Sequence, residues 1–370
     1  MQRNSDELLS FIFERIGQIA MLNDNEKLLV ALAKMGRDIV FADRCTIWIL
    51  DKEKKQLWSK VSHGLKSVFI PSDSGIVGAS VQEGKPIILN DVYQDERFNH
   101  DIDEASGYKT NTMMVIPTYN RENEVMGAIQ VINKKDNGLF TQKDLDHLML
   151  ASTYISETIK STFLLEEIDA TQREILHIIG IMGESRSEET ALHVKRVSKY
   201  AYILAKEYGL SEEMCTTVRD VSPLHDIGKI AIADDVLKKP GKLDIEEKEH
   251  MMTHVEQGYH MLKDSKGILL QAAATVAYEH HEKYDGSGYP RQLKGEEIHI
   301  FGRIVALADV FDALSSNRVY KKAWEPQRAQ SLIKEERGKH FDPKLVDIFM
   351  EKRTEFFAIA EELKDVYNEE

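Results

Sequence analysis

The chain has 370 residues, with 48 Lys and Arg against 62 Asp and Glu, which gives a formal net charge of −14 at pH 7. This length is sufficient for two domains, each with its own hydrophobic core. The acidic balance argues against broad binding to nucleic-acid polymers or anionic membranes, because both repel a negatively charged surface. An anionic ligand would therefore need positive charge placed locally.

The N-terminal segment MQRNSDELLSFIFERIG contains acidic residues and no signal-peptide pattern, and no apolar run approaches the length of a membrane span. The two cysteines, Cys45 and Cys215, are far apart and lack CxxC spacing, so the sequence predicts neither a disulfide framework nor a thiolate zinc site. We therefore expect a cytoplasmic protein without a membrane span.

The first part of the chain predicts an α+β domain. Residues 25 to 41 have the periodicity of an amphipathic helix, and residues 44 to 50 predict a strand that ends at the turn DKEKK, before LWSKVSH. The apolar stretches TMMVIPTYN and EVMGAIQVIN predict paired strands around the turn NREN, and TQKDLDHLMLASTYISETI predicts a helix. Strands enclosed by terminal helices indicate an antiparallel sheet with flanking helices.

Residues from about 20 to 160 resemble a GAF domain, through SGIVGASVQEGKPIILNDV, the paired strands and a partial NK…F…D pattern at Asn133, Lys134, Phe140 and Asp144. This pattern is typical of GAF domains that bind cyclic nucleotides, but its last acidic position is Leu145 here. Asn133 and Asp144 fit a structural turn and a helix cap equally well. The resemblance implies a sensor domain over residues 1–160, whose small-molecule ligand is left open.

Residues 141 to 183 contain no proline and reach Gly180 almost without a helix breaker, so they predict one long connecting helix, continuous or slightly broken. We place the connection between the domains at residues 161–185. Four apolar residues recur at intervals of seven, four and three: Ile168, Ile175, Ile179 and Met182. This near-heptad spacing predicts a parallel homodimer through the helix, with packing inside one chain as the alternative.

The second part of the chain concentrates histidines and carboxylates, and ten of the 13 histidines follow residue 150. The pair His225-Asp226 stands at the start of HDIGKIAI, an apolar run expected to be helical, in which charge is costly unless a metal or a counter-charge compensates it. Imidazole nitrogens suit Fe, Mn, Zn or Ni, and a carboxylate such as Asp226 can bridge two ions. The pattern predicts a multinuclear metal site that cleaves phosphodiesters.

Roughly residues 170 to 360 resemble the HD-GYP family of bacterial cyclic-di-GMP phosphodiesterases, a branch of the HD metal-dependent phosphohydrolases. The matching motifs in chain order are EETALH, HDIGK, KPGKL, THVEQG, HHEKYDGSGYP, GRIVALADVFDAL and RVYK. Departures at Ala233, Gln292, His299 and Gly302 replace none of the expected ligands. The resemblance implies an all-α catalytic domain over residues 186–370, joined to the first by the long helix, that hydrolyses cyclic di-GMP to pGpG, GMP or both.

The resemblance also implies the metal ligands: Glu189, His193, His225, Asp226, His254, His280, His281 and Asp309. The site would hold two or three divalent ions, iron in the first place and manganese as the alternative, with Asp226 bridging two of them. In the family, a glutamate four residues before the first histidine marks members thought to hold three metals, and Glu189 has that spacing to His193. Glu184 and Glu188 are alternatives nearby, and Asp312 is expected to support the ligands.

Three basic residues are implied as substrate contacts. Lys229, one helical turn after the HD pair, would contact the phosphate or assist the leaving oxygen, or else form an ion pair with the carboxylates. Arg318 and Lys321 would bind phosphate, or else only form a basic helix end. The sequence is also compatible with two other functions, namely hydrolysis of another nucleotide and nonenzymatic sensing of cyclic di-GMP.

Overall fold

A computed structural model describes residues 4–22, 24–59, 68–120, 122–187, 190–316 and 323–365. The chain divides into two compact units, Met1–Ile168 and Asp169–Glu370. Across these described ranges, none of the helices combines the length and the apolar character needed to cross a bilayer.

The first unit contains one antiparallel sheet and helices on both of its faces. The strands are β1 Ala42–Asp51, β2 Gln56–Ser59, β3 Val68–Pro71, β4 Ile87–Leu89, β5 Met113–Tyr119 and β6 Val125–Lys134, in the order β3-β2-β1-β6-β5-β4. The helices are α1 Ser5–Ala20, α2 Asn25–Ile39, α3 Gly75–Glu83, α4 His100–Ser106 and the start of α5 Gln142–Glu184, with 3₁₀ turns at Val92–Gln94 and Lys135–Asn137. The predicted α+β fold is confirmed.

Alternation along β1 explains why the sheet has two cores. Ile47 packs with buried residues of α1, α2 and α5, whereas the next residue, Trp48, packs on the opposite face with buried residues of α3. Successive side chains of a strand point to opposite faces, so the adjacent apolar residues Ile47 and Trp48 contribute to the cores on the two sides of the sheet. The predicted strand at 44–50 is correct and extends to Ala42 and Asp51.

The second unit is helical, as predicted. After the end of α5 its helices are α6 Ala191–Tyr208, α7 Glu212–Val221, α8 Asp234–Leu237, α9 Ile245–Met252, α10 His254–Leu262, α11 Ile268–Glu279, α12 Ile300–Ser315, α13 Pro326–Glu335 and α14 Pro343–Glu362. Short 3₁₀ segments lie at Ser222–Leu224, Ile227–Ala231 and Gly295–Glu297.

Aromatic packing holds the central helices of this unit together. Tyr200 of α6 stacks on Phe356 of α14 with ring centroids 4.9 Å apart, and it meets Phe311 of α12 edge-on at 5.0 Å. All three rings belong to one buried apolar cluster. This packing brings α6 against α12, and those two helices carry His193 and Asp309.

The helical run expected at HDIGKIAI is only partly correct. His225 and Asp226 lie between two 3₁₀ segments, Ser222–Leu224 and Ile227–Ala231, and not within an α-helix. A Cβ on Gly228 would lie 1.8 Å from the carbonyl oxygen of His254, so the backbone here passes directly against the start of α10. This contact with α10 accounts for the path of the segment, which the apolar periodicity of the sequence alone did not predict.

The connecting helix α5 is continuous from Gln142 to Glu184, in agreement with the sequence. Gly180 and Gly183 do not break it. A Cβ on Gly180 would lie 2.5 Å from the carbonyl oxygen of Pro223, and one on Gly183 would lie 3.3 Å from Cδ1 of Ile227. The two glycines therefore let the last turns of α5 approach the segment on either side of His225-Asp226.

Gly228→Ala should destabilise the second unit, because the added methyl group would overlap the main chain of His254. Overpacking of this kind costs about 1–3 kcal/mol or more. The thermal unfolding midpoint measures the loss. Gly267→Ala is the control, because nothing lies within 4 Å of its Cβ position and its cost should stay below about 1 kcal/mol. Equal midpoints for the two variants would contradict the close approach.

Candidate metal centre

Five segments of the second unit bring the candidate ligands together. His193 occupies the first turn of α6, where the Thr190 side chain accepts a hydrogen bond from the His193 main-chain N–H at 3.2 Å and begins the helix. His225 and Asp226 lie between the two 3₁₀ segments, His254 begins α10, His280 and His281 directly follow α11, and Asp309 lies in α12.

Two groups of ligand atoms form within this cluster. In the first, Asp226, His254, His280 and His281 each offer an atom within 4.8 Å of the others. Oδ1 of Asp226 lies 3.0 Å from Nε2 of His254 and 3.4 Å from Nε2 of His280. Two imidazoles therefore approach one carboxylate oxygen, and His281 completes the group.

The second group contains Glu184, His193 and His225, whose ligand atoms also lie within 4.8 Å of one another. Oδ1 of Asp309 lies 3.8 Å from Nε2 of His193 and 3.9 Å from Nε2 of His225. Oδ2 of Asp226 lies 3.2 Å from Nε2 of His225, so the two groups adjoin at this carboxylate. Each oxygen of Asp226 faces a different group.

Hydrogen bonds on the far side of the rings fix the tautomer of three histidines. Nδ1 of His225, His254 and His280 lies 2.9, 2.8 and 3.1 Å from the main-chain carbonyl oxygen of the residue three positions earlier. A carbonyl oxygen can only accept, so Nδ1 is the donor in each case and Nε2 carries the lone pair of the neutral ring. All three lone pairs are then available to an ion.

The atoms that face inward lack partners. Seven buried side-chain N or O atoms in the described chain have no hydrogen bond, and five of them are here: Glu184 Oε1, His225 Nε2, Asp226 Oδ1, His254 Nε2 and His280 Nε2. The short approaches between Asp226 and the imidazoles do not have hydrogen-bond geometry. Each such atom costs about 1–3 kcal/mol when it is left unsatisfied. Nitrogen and oxygen donors of this kind fit a divalent metal ion.

The electrostatics of the centre also favour a cation. Burial lowers the pKa of His225, but the carboxyl groups around it, with Asp226 first, raise that pKa to about 10. Burial raises the pKa of Asp226, and the charges of Lys229 and His225 outweigh this and hold it well below its usual range. Burial, then the neighbouring imidazoles, hold the pKa of His281 well below its usual value, as a neutral metal ligand requires.

Comparisons with known proteins agree with this geometry. Residues 178–345 match an HD domain model and residues 24–159 match a GAF domain model. A probable cyclic di-GMP phosphodiesterase of Vibrio cholerae is 30% identical over 360 residues, covering 87% of this chain and 81% of that protein. The chain belongs to the HD-GYP family. It carries both a GAF domain and an HD domain.

Two other relatives are more similar to the HD-GYP part. The 3'3'-cGAMP-specific phosphodiesterase 2 of Vibrio cholerae is 44% identical over 211 residues, which are 57% of this chain and 40% of that protein. The cyclic di-GMP phosphodiesterase response regulator RpfG of Xanthomonas campestris is 44% identical over 196 residues, which are 53% of this chain and 52% of that protein. The chain thus spans about half or less of the length of these two relatives.

Three predicted HD-GYP site residues, Glu189, Arg318 and Lys321, lie outside the described residues. Besides Asp309, the structure brings the carboxylate of Glu184 to the second group, which the sequence offered only as an alternative.

Lys229 lies at the junction of the two groups. Its Nζ is 2.6 Å from Oδ2 of Asp226 and donates to Oε2 of Glu184 at 3.1 Å. The structure therefore shows an ion pair with the carboxylates, which was the alternative role inferred from the sequence. The Lys229 side chain remains 16% exposed.

Tyr289, which the sequence analysis did not single out, covers one side of the HD-GYP centre. Its ring stacks on His281 with centroids 4.9 Å apart, and burial raises its pKa. Gly288 allows this arrangement, because a Cβ there would lie 2.3 Å from the main-chain nitrogen of Lys283 as the loop folds back. The only sequence signal was the GYP motif itself, which does not give the position of the ring.

The GAF residues of the NK…F…D pattern have structural contacts. Asp144 pairs with Lys134 and accepts hydrogen bonds at 2.9 Å from both N and Oγ of Thr141, at the start of α5. Oδ1 of Asn133 accepts from the main-chain N–H of Asn111 at 2.7 Å. These bonds tie β6 to its neighbours and satisfy the polar groups of the pattern within the domain.

A buried ion pair orients His193. Asp312 accepts from Nε and Nη2 of Arg196 at 2.6 and 2.9 Å, and its Oδ2 lies 2.8 Å from Nδ1 of His193. Arg196 is 1% exposed, and its Nη1 also donates to the carbonyl oxygen of Leu363 at 2.8 Å. Asp312 thus turns Nε2 of His193 toward the metal centre.

Arg196→Ala should destabilise metal-free protein by about 3–5 kcal/mol, because it removes the guanidinium that donates two hydrogen bonds to the buried Asp312 carboxylate and leaves only His193 beside it. Urea denaturation followed by circular dichroism measures the change. The control is Arg337→Ala, which breaks a two-bond pair with Asp347 whose side chains are 47% and 57% exposed. An exposed pair contributes about 0–1 kcal/mol. Similar losses in the two variants would show that the buried pair has no special importance.

Proposed function

We propose that this protein is a metal-dependent phosphodiesterase that hydrolyses cyclic di-GMP to pGpG, GMP or both. The observation that carries the proposal is the pair of adjoining ligand groups that share Asp226, with five buried donor atoms directed inward and unpaired in the described chain. The names of the relatives supply the substrate class, since each is a cyclic-dinucleotide phosphodiesterase.

In this proposal Asp226 would help to hold two ions, because its Oδ1 faces His254 and His280 while its Oδ2 faces His225. The ligand set is completed by His193, His281 and Asp309, and Glu189 stays a prediction from the sequence. We infer iron, or alternatively manganese, as the metal. Divalent ions held there would supply the Lewis acidity that activates water and stabilises charge on the phosphate oxygens.

The protein's own side chains would orient the phosphate and donate a proton to it or to the leaving oxygen. The Lys229 ammonium lies between Asp226 and Glu184, so it is held at the centre and can donate to a phosphate oxygen or to the leaving oxygen. Arg318 and Lys321 would add positive charge for an anionic substrate in a chain with a net charge of −14. The stacked ring of Tyr289 excludes water from the side of His281.

A second candidate substrate is 3'3'-cGAMP, because a relative that is 44% identical over 211 residues is specific for it by name. The two cyclic dinucleotides differ in one base, so the metal centre treats their phosphates alike. Comparison of kcat/KM for both substrates with the same preparation decides between them.

We also infer that the GAF domain regulates the enzyme and that α5 mediates a homodimer. Ile168, Ile175, Ile179 and Met182 are 50%, 50%, 36% and 61% exposed in the single chain. Apolar side chains at near-heptad spacing on one helix are the usual seam of a parallel coiled coil. A second copy of the chain is the partner that would cover them.

Asp226→Ala should abolish hydrolysis of cyclic di-GMP and remove more than one equivalent of metal, because it deletes the oxygens that face both groups. Elemental analysis of protein purified anaerobically gives the metal content, and chromatography of the products gives the activity. Asp235→Ala, at an exposed residue of α8, should keep both. Full metal content and activity in Asp226→Ala would disprove the bridging role. Activity of the parent protein that survives complete metal removal would disprove the proposal that hydrolysis depends on metal.

The double substitution of Arg318→Ala and Lys321→Ala should weaken substrate binding while the metal content stays constant. Loss of charge-assisted phosphate contacts should cost roughly 1.5–3 kcal/mol, and steady-state kinetics with metal-loaded enzyme measures it. Lys248→Ala, an exposed lysine of α9, is the control. Unchanged kinetics in the double variant would leave both residues as a basic surface without a role in binding.

A further inference from the structure

Glu184 is the last residue of α5, yet its carboxylate lies inside the metal centre. The residue is 1% exposed, and its Oε1 lies 3.8 Å from Nε2 of His225. Oε2 accepts hydrogen bonds from Nζ of Lys229 at 3.1 Å and from Oγ of Ser187 at 2.9 Å. One oxygen is therefore bonded to the protein, while the other has no hydrogen-bond partner among the described residues.

The chain on both sides of Glu184 is anchored to the segment that carries the HD pair. Before it, Gly180 and Gly183 pack on Pro223 and Ile227. After it, the Arg186 guanidinium donates to the carbonyl oxygens of Lys229, Ile230 and Ile232 and pairs with Asp234. The position of the carboxylate is thus set by packing and hydrogen bonds, which is not the environment of a surface acid.

An ion pair with Lys229 alone does not account for this carboxylate. Lys229 already lies 2.6 Å from Asp226, and Oε2 by itself is sufficient for the contact with Glu184. A buried acceptor without a partner costs about 1–3 kcal/mol, and more when it is charged. Oε1 lies 3.8 Å from Nε2 of His225, and ligand atoms of Glu184, His193 and His225 lie within 4.8 Å of one another, which is the spacing of ligands to one ion.

We propose that Glu184 is a ligand of the ion held by His193 and His225, so that the connecting helix itself supplies a carboxylate to the centre. This assignment deepens the proposed function and rests on it for the presence of the ion. Because Glu184 ends α5, a change in the position of that helix changes the donor set of this ion. One residue of an α-helix corresponds to about 1.5 Å along its axis and 100° around it, so a small movement withdraws the carboxylate.

Glu184→Gln tests the assignment, because the amide keeps the shape of the side chain and an oxygen for Ser187 while it weakens metal binding. With Mn(II) titrated into metal-free protein, we expect about one equivalent fewer, or an affinity lower by on the order of tenfold or more, at one ion. The ion at His254, His280 and His281 should remain. Glu174→Gln, at an exposed residue of the same helix, should match the parent.

A second measurement separates a ligand from a purely structural ion pair. Glu184 also pairs with Lys229, so Glu184→Gln can lower the thermal midpoint without metal. A ligand adds stability through the metal, so the drop relative to the parent should be larger when Mn(II) is present than when it is absent. An equal drop in both conditions, or an unchanged Mn(II) stoichiometry and affinity, would overturn the proposal. Neither readout uses cyclic di-GMP, so a protein that fails to hydrolyse it would disprove the proposed function and leave this result intact.

Glu189→Gln, prepared in the same way, shows whether the glutamate that the family pattern favours binds the same ion. Loss of metal in both variants places two carboxylates on that ion and supports the proposal. Loss in Glu189→Gln with full retention in Glu184→Gln assigns the role to Glu189 alone and refutes the proposal.

Discussion

The burial of Asp226 among imidazoles is the constraint on which the second unit depends. The residue is 6% exposed, and the rings of His225, His254 and His280 approach its two oxygens from different elements. A carboxylate in such a place is stable only with compensating positive charge. The elements that carry these side chains must therefore lie close enough for Asp226 and the imidazoles to bind the same cation. The close approach of Gly228 to the main chain of His254 shows how tightly two of these elements pack.

The same bonds that orient the ligands also complete the helices. Ala277 lies in the last turn of α11, where carbonyl oxygens lack partners within the helix, and Nδ1 of His280 donates to it. Nδ1 of His254 donates in the same way to Met251 at the end of α9. A histidine just beyond a helix end thus donates to a carbonyl group of that helix and turns its own Nε2 toward the centre. The orientation of these ligands therefore depends on where the helices end, in addition to side-chain packing.

Sequence reasoning succeeded where a local pattern determines the outcome. Periodicity identified the strands and the continuous α5, and the HD and HH pairs identified imidazoles that the structure does bring together. It failed where distant contacts decide. The path of residues 222–231 depends on α10, and the approach of Glu184 to His225 joins residues 41 positions apart. The pair Glu189 and His193 has a recognisable helical spacing, whereas no rule of sequence spacing predicts a contact such as that between Glu184 and His225.

The two ligand groups differ in chemistry, and this difference has a consequence for regulation. The group of His254, His280 and His281 is rich in nitrogen, whereas Glu184 and Asp309 make the other group richer in oxygen, which harder ions prefer. On the proposed assignment α5 contributes to the oxygen-rich group only. A displacement of α5 would therefore weaken one ion while the nitrogen-rich group and Asp226 keep the other. In the proposed hydrolysis, charge would be stabilised on both the attacking and the leaving oxygen, so the loss of one ion would stop turnover without unfolding the centre.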